Sequence, residues 1–361
     1  MSARLVLEDG SVFEGESFGA SGSAIGEVVF NTSMTGYQEI ATDPSYRFQI
    51  VVMTYPHMGN YGVDAEAEQS AAPQVSGFVV RELTPPAAHP DAPEGLAEYL
   101  EHHNIPAICR IDTRALTRRL RAHGSLMGMI TTDRRPDAEI LEEIRRAPSM
   151  AGLDLVQKVT TAQPYELAGT GERRRRIAVY DFGVKRDILR RLQMEGCDIT
   201  VFPANTPADE LLARRFDGVV LSNGPGDPEP VTYAQENIRR LVGRVPVLGI
   251  CLGHQLLGIA LGGRTYKLKF GHHGGNHPVK DVGSGKVEIT AQNHGFAVDG
   301  DSLRGADIEF THVNLNDGTV EGFRSTKNPV IAVQYHPEAA PGPHDSFHVF
   351  ADFLRLVDEG S

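Results

Sequence analysis

Cys251 stands between Gly249 and Gly253 in the stretch VPVLGICLGHQLLG, and no other feature restricts the possible folds of this chain as strongly. Residues 245–250 form a short apolar run with β-branched members, and the chain from Leu252 onward suits a helix. The cysteine therefore falls where a buried strand turns into a helix. Small residues on both sides let such a sharp turn fit against its neighbours, which is the glycine logic of a nucleophile elbow. Unpaired N–H groups at a helix start favour negative charge nearby, so the thiol is expected to ionise below the range of a free cysteine. A buried cysteine with only a packing role is the plain alternative. The flanking glycines and the position between strand and helix argue against it.

A nucleophilic cysteine needs a base, and the base needs a group to orient it. QYHPE supplies both in His336 and Glu338, directly after the apolar run PVIAVQY. Residues two apart on an extended segment project to the same side, so Glu338 can hold one ring nitrogen and leave the other for Cys251. With fourteen histidines in the chain, an H-x-E pair alone says little. Its place at a strand end gives it weight. His254 lies three residues past the nucleophile, on the first turn of the same helix, and reads as a packing or capping residue. His294, in TAQNHGFAV, reads as part of a loop after a strand that walls a substrate site.

Residues 1–150 open with strands, including a hairpin turning at Asp9 and Gly10 and extended runs at 27–30 and 49–54. Helical patterns follow at 95–102, 112–121 and 137–146, giving a smaller α+β N-terminal domain that contacts a partner. Residues 151–176 lose periodicity and gather Thr, Gly and Pro, as a linker does. Residues 177–361 form the second domain. From IAVYDF through DITVFP and DGVVLSN to VPVLGI, strands alternate with helices, which predicts an α/β domain with a mostly parallel sheet flanked by helices. Ligands in such sheets sit beyond the carboxyl ends of the strands, where both SNGPGDP and GICLG occur. A tetrahedral oxyanion would draw on the Leu252 N–H and on one from SNGPGDP. Pro225 has no N–H to give, so Gly224 or Gly226 must supply it.

Composition narrows the partners. At 361 residues and 40% hydrophobic, the chain can fill two cores. No signal peptide and no membrane-spanning run is evident, and Cys109, Cys197 and Cys251 lack disulfide or metal spacing, which points to a reducing, cytoplasmic setting. A net charge of −12 disfavours nucleic acid, and the basic run ERRRR at 172–176 reads as a solvated linker. His272, His273 and His277 in HHGGNH have no matching second half of ligands, so no metal is expected. The paired Gly274 and Gly275 suggest a loop near the active site or a partner interface. VGSGKV around Lys286 lacks the full phosphate-loop pattern, so no nucleotide cofactor is expected in this chain.

GICLGHQ with a downstream HPE resembles the class I glutamine amidotransferases, whose glutaminase domain uses a Cys-His-Glu triad. FGHHGGNHPVKD, ITAQNHGFAVD, LSNGPGDP and FNTSMTGYQEIATDPSY are similar to the small, glutamine-hydrolysing subunit family of carbamoyl-phosphate synthetase, and the similarity covers nearly the whole chain. This resemblance implies Cys251, His336 and Glu338 as the triad. It implies that L-glutamine is held by Gln255, Asn293, Gly295 and Phe296, with Ser45 of TDPSY as a further contact. A hydroxyl capping its own turn is an equal reading of Ser45. It also implies a large-subunit partner that binds ATP and Mg and makes carbamoyl phosphate from bicarbonate and ammonia, for arginine and pyrimidine synthesis. Two rivals are the glutaminase of another synthesis, such as that of GMP or anthranilate, and a catalytically silent regulatory subunit. The first leaves residues 1–150 without a role and expects a fused synthetase domain. The second is expected to lose the nucleophile or its histidine.

Overall fold

The computed structural model describes residues 1–84, 94–170, 175–305 and 307–360. The chain divides into two compact units, one of Met1–Leu153 with Lys269–Gly274 and one of Asp154–Leu268 with Gly275–Ser361.

The first unit is built from β1 (Ser2–Leu7), β2 (Val12–Ser17), β3 (Ser23–Asn31), β4 (Gln49–Met53), β5 (His57–Met58), β6 (Gly77–Val79), β7 (Glu82–Leu83), β8 (Ala107–Cys109) and β9 (Leu126–Thr131). Seven of these strands close a barrel in the order β1-β2-β8-β6-β4-β3-β9, while β5 and β7 pair separately. The expected hairpin is there: Val6 faces Val12, and Gly10, at φ 86°, donates its N–H to the Leu7 carbonyl at 2.9 Å. The helices are α1 (Tyr37–Thr42), α2 (Leu96–His102), α3 (Thr113–His123) and α4 (Asp137–Arg146), the last three close to the sequence expectation. Strand alternation sorts the core. Leu5 and Leu7 pack with Ile50, Val52 and Ile130, whereas Val6 between them packs with Ile140 and Ile144 of α4.

The second unit starts within the stretch expected to be a linker. Tyr165–Leu167 forms β10, which pairs antiparallel with β12 (Cys197–Pro203). The basic run is likewise structured where it is described: Arg175 and Arg176 open β11 (Arg175–Asp181), and Arg175 forks onto both carboxylate oxygens of Asp358 at 2.9 Å. The other residues of that run, 172–174, lie outside the described residues. A local pattern of polar residues does not reveal such pairings, because the partners lie 20 or more residues away.

Then follow α5 (Arg186–Met194), α6 (Ala208–Arg214), β13 (Gly218–Leu221), α7 (Thr232–Leu241), β14 (Val247–Ile250), α8 (Leu252–Ala260), β15 (Thr265–Asp281), β16 (Val287–Val298), β17 (Ile308–Asn314), β18 (Val320–Ser325), β19 (Val330–Val333) and α9 (His348–Glu359). The sheet runs β10-β12-β11-β13-β14-β19-β18-β17-β15-β16. Its centre, from β12 to β19, is parallel, and antiparallel strands extend both sides. Ala178 and Tyr180 join a core with residues of α6, α7 and α8, while Ile177 and Val179 join one with residues of α5 and α9. Helices thus cover both faces. Among the described residues no helix is long and apolar enough to cross a membrane.

Two further expectations are corrected. The histidine-rich segment is no loop but the middle of the 17-residue strand β15, with His272 and His273 buried. His294 is likewise inside strand β16. Glycine and histidine lower strand propensity locally, but ladder pairing along a long ribbon overrides it.

At the elbow the glycines are there for closeness. A Cβ on Gly253 would stand 2.2 Å from the carbonyl oxygen of Leu221 at the end of β13, and one on Gly249 would stand 2.8 Å from the Gly253 carbonyl. Gly253→Ala therefore forces backbone apart and is expected to destabilise the second unit by about 1–3 kcal/mol, read as a lower urea midpoint at an unchanged slope.

Candidate active site

Four neighbouring parallel strands, β11, β13, β14 and β19, end side by side, and each is followed by polar residues that meet in a buried cluster. After β14 comes Cys251, the residue before α8, at φ 54° and ψ −104°. A non-glycine residue rarely adopts a positive φ, and the surroundings hold it there. Its N–H donates to Val333 O of β19 at 2.9 Å, and its carbonyl accepts from Gln255 N at 3.2 Å. The turn is thus tied to the adjacent strand on one side and to its own helix on the other.

After β13, Ser222 and Asn223 are fully buried. The Ser222 carbonyl accepts from Gly253 N at 3.1 Å, so this loop and the elbow are joined by backbone. A Cβ on Gly224 would stand 2.2 Å from Phe182 O and 2.8 Å from the Leu252 side chain, which puts Gly224 against the elbow. Gly226, at φ 82°, faces Leu155 instead.

After β19 come Gln334, Tyr335 and His336. The His336 N–H donates to Ala291 O at 2.9 Å, which draws the middle of β16 to the strand ends although β16 begins at the far edge of the sheet. The Asn293 carbonyl then lies 3.6 Å from Cys251 Sγ, within reach of the thiol proton. Gln255, on the first turn of α8, donates from Nε2 to Phe296 O at 2.7 Å. Gly295 between them borders space, since a Cβ there would meet no atom within 4 Å.

His336 Nδ1 lies 2.7 Å from Glu338 Oε1, both side chains being buried. Burial works against charge on the imidazole, but Glu338 first and Cys251 second outweigh it, and His336 is pushed well above its ordinary range. Its other nitrogen, Nε2, is buried, makes no hydrogen bond of normal geometry, and is left to the Cys251 thiol, which acts on the ring as a charge and as a hydrogen-bonding group. The protonated ring is therefore favoured beside the sulfur.

Sequence reasoning missed the residue that supports this arrangement. Lys185, five residues before the middle of α5 and just past β11, is buried and holds Glu338 Oε1 at 2.8 Å and Ala339 O at 2.6 Å. Burial opposes ionisation of Glu338, yet Lys185, followed by His336, overcomes it and holds the carboxyl below the usual range. A lysine at a strand end is unremarkable among 35 basic residues, so nothing local announces it. Gln334 is also missed, although a polar residue inside the apolar run PVIAVQY is a usable sign.

The remaining expected residues are placed as follows. His254 packs its ring on Phe323, centroids 4.8 Å apart, and burial drives it down to about 3, so it stays neutral near pH 7. His294 sets Nδ1 2.8 Å from Phe296 O and Nε2 2.9 Å from Gln292 Oε1, so both ring nitrogens face protein oxygens rather than open space. Ser45 lies in the first unit, in a 3-10 turn (Pro44–Tyr46) capped by Asp43, whose carboxylate accepts the Ser45 N–H at 2.8 Å.

Lys185→Met leaves Glu338 with a buried, poorly compensated charge and is expected to cost about 3–5 kcal/mol at pH 7. Because the carboxyl is held below its ordinary 4.5, the stability it contributes is complete above that pH and is lost as the pH falls below it. The gap between the two proteins in urea titrations should therefore narrow as the pH drops below 4.5.

Known proteins share this sequence along its length. The model of the carbamoyl-phosphate synthase small chain CPSase domain matches residues 5–130, and that of the class-I glutamine amidotransferases matches residues 178–356. The chain is 53% identical to the carbamoyl phosphate synthase small chain of Syntrophotalea carbinolica, covering 99% of this chain and 98% of that one. Identity to the small chain of Thermus thermophilus is 51%, over 99% and 93%, and to the chloroplastic small chain of Oryza sativa 51%, over 98% and 82%. With this identity along almost its whole length, and with both domain models matched, the chain belongs to the carbamoyl phosphate synthase small chain family.

Proposed function

We propose that this chain is the glutaminase subunit of a carbamoyl-phosphate synthase, hydrolysing L-glutamine at Cys251 and delivering ammonia to a large subunit. The observation that carries the reading is the buried line Lys185, Glu338, His336, Cys251 at adjacent strand ends, in a chain of this family.

The chemistry follows from the charges. The thiol proton passes to His336 Nε2, and Sγ adds to the carbonyl carbon of the glutamine side chain. The oxyanion formed is met by backbone N–H groups of the elbow at Leu252 and of the Gly224 to Gly226 loop, where Gly224 is the one packed against Leu252. His336 returns its proton to the amide nitrogen, the C–N bond breaks, ammonia leaves and a thioester remains. Water then gives a proton to His336 as its oxygen adds to the thioester. The C–S bond breaks, glutamate departs and the thiol is restored. Gln255, Asn293, Gly295 and Phe296 are the proposed glutamine contacts, with the Asn293 carbonyl 3.6 Å from the sulfur.

Free ammonia would be protonated in water, so delivery calls for a physical partner. That partner is the proposed large subunit, which holds ATP and Mg and makes carbamoyl phosphate. This chain needs no cofactor of its own, and its proposed setting is the cytoplasm. A silent regulatory role is disfavoured by the intact line of charges behind Cys251.

In the assembled synthase, Cys251→Ser should abolish carbamoyl phosphate formation from glutamine while formation from ammonium salts continues. Loss of both would overturn the division of labour. His336→Asn should lower glutamine hydrolysis by about 10²-fold or more, and His254→Asn by far less, because only His336 combines a free nitrogen near the sulfur with a carboxylate behind it. Equal losses in two folded variants would remove His336 from the mechanism.

A further inference from the structure

Beside the triad, one more side chain reaches the sulfur. Gln334, fully buried between β19 and His336, sets Nε2 3.7 Å from Cys251 Sγ, a hydrogen-bonding distance for the larger sulfur atom. Which end of its amide faces the sulfur follows from the neighbours. Gln255 must point its NH₂ at the Phe296 carbonyl, an acceptor only, at 2.7 Å. The same NH₂ donates to Gln334 Oε1 at 3.1 Å. With its oxygen so engaged, Gln334 can turn only its NH₂ to Cys251. The Gln334 backbone is fixed as well, its N–H donating to Glu321 O of β18 at 2.9 Å.

The sulfur therefore lies between two opposite partners. The Asn293 carbonyl, 3.6 Å away, can accept a proton from the thiol but repels a thiolate. The Gln334 amide can only donate, so its attraction grows when the sulfur becomes an anion. We propose that Gln334 is a positioning donor for the Cys251 thiolate, aimed by the chain Phe296 carbonyl, Gln255, Gln334, and that it works alongside His336 to hold the nucleophile in its reactive form. Among the described residues the titratable group beside the sulfur is His336, from the segment after β19, with Glu338 and Lys185 behind it. His254, from α8, neighbours Gln334 and is kept neutral by burial.

The inference rests on Cys251 being the nucleophile, and the test separates the two. The rate at which iodoacetamide alkylates Cys251 is measured against pH in the full-length chain and in Gln334→Met, which fills the same volume without a donor. The expected result is a curve moved up by about one pH unit, with alkylation below the midpoint about tenfold slower. Glutamine hydrolysis at neutral pH falls in kcat, with the melting temperature near that of the parent. Gln334→Glu, which turns an acceptor toward the sulfur, should move the curve further. A curve superimposable on that of the parent in either folded variant overturns the inference. In the unaltered chain, the Gln334 side-chain amide resonance should shift with the same midpoint as alkylation, and a resonance that does not move overturns it without any variant. Glutamine hydrolysis that survives Cys251→Ser would instead overturn the nucleophile itself.

Discussion

A buried lysine and a buried glutamate 2.8 Å apart hold this site together. Neither charge would be tolerated alone in the interior, and together they leave one carboxylate oxygen that both Lys185 and His336 share. The carboxylate stays ionised because of the lysine. The histidine is drawn to its protonated form because of the carboxylate, and a sulfur next to a protonated ring can carry negative charge. Each step depends on the one behind it, so the charge on His336 beside Cys251 is set from the end of β11, two strands away from the strand that carries the cysteine.

Parallel strands make this possible. The ends of β11, β13, β14 and β19 lie in register, so four loops remote in sequence bring polar residues and glycines to the same spot. The antiparallel extension adds a lid of backbone. Through the link from His336 N to Ala291 O, β16 is drawn to the strand ends and presents the Asn293 carbonyl to the thiol. A backbone carbonyl cannot titrate, and His336, held protonated chiefly by Glu338, is the group that exchanges a proton beside the sulfur.

The parts of the site that lie within one element were legible in the sequence: the glycine-flanked cysteine, the HPE that follows a strand, the alternation that makes a parallel sheet. Those that depend on a partner distant in the chain were not. Lys185 has meaning only once β11 and β19 are near each other, and Gln334 only once Gln255 has chosen its acceptor. The same limit explains the elements misread. Residues 165–167 and 272–273 look like linker and loop because the glycines and polar residues around them say so locally, and they become strand through ladders formed elsewhere. The barrel of the first unit, too, could be read as strands and helices but not as closed, since closure is a property of the β1–β9 pairing.

Cys251 sits at φ 54°, a conformation in which every residue except glycine is strained, at a cost of about 1–3 kcal/mol. A glycine there would relax the turn and lose the chemistry. Durability and reactivity thus pull in opposite directions at this one position. The thiol proposed as nucleophile is held against the turn's own preference by the bonds that tie Cys251 to Val333 on one side and to Gln255 on the other.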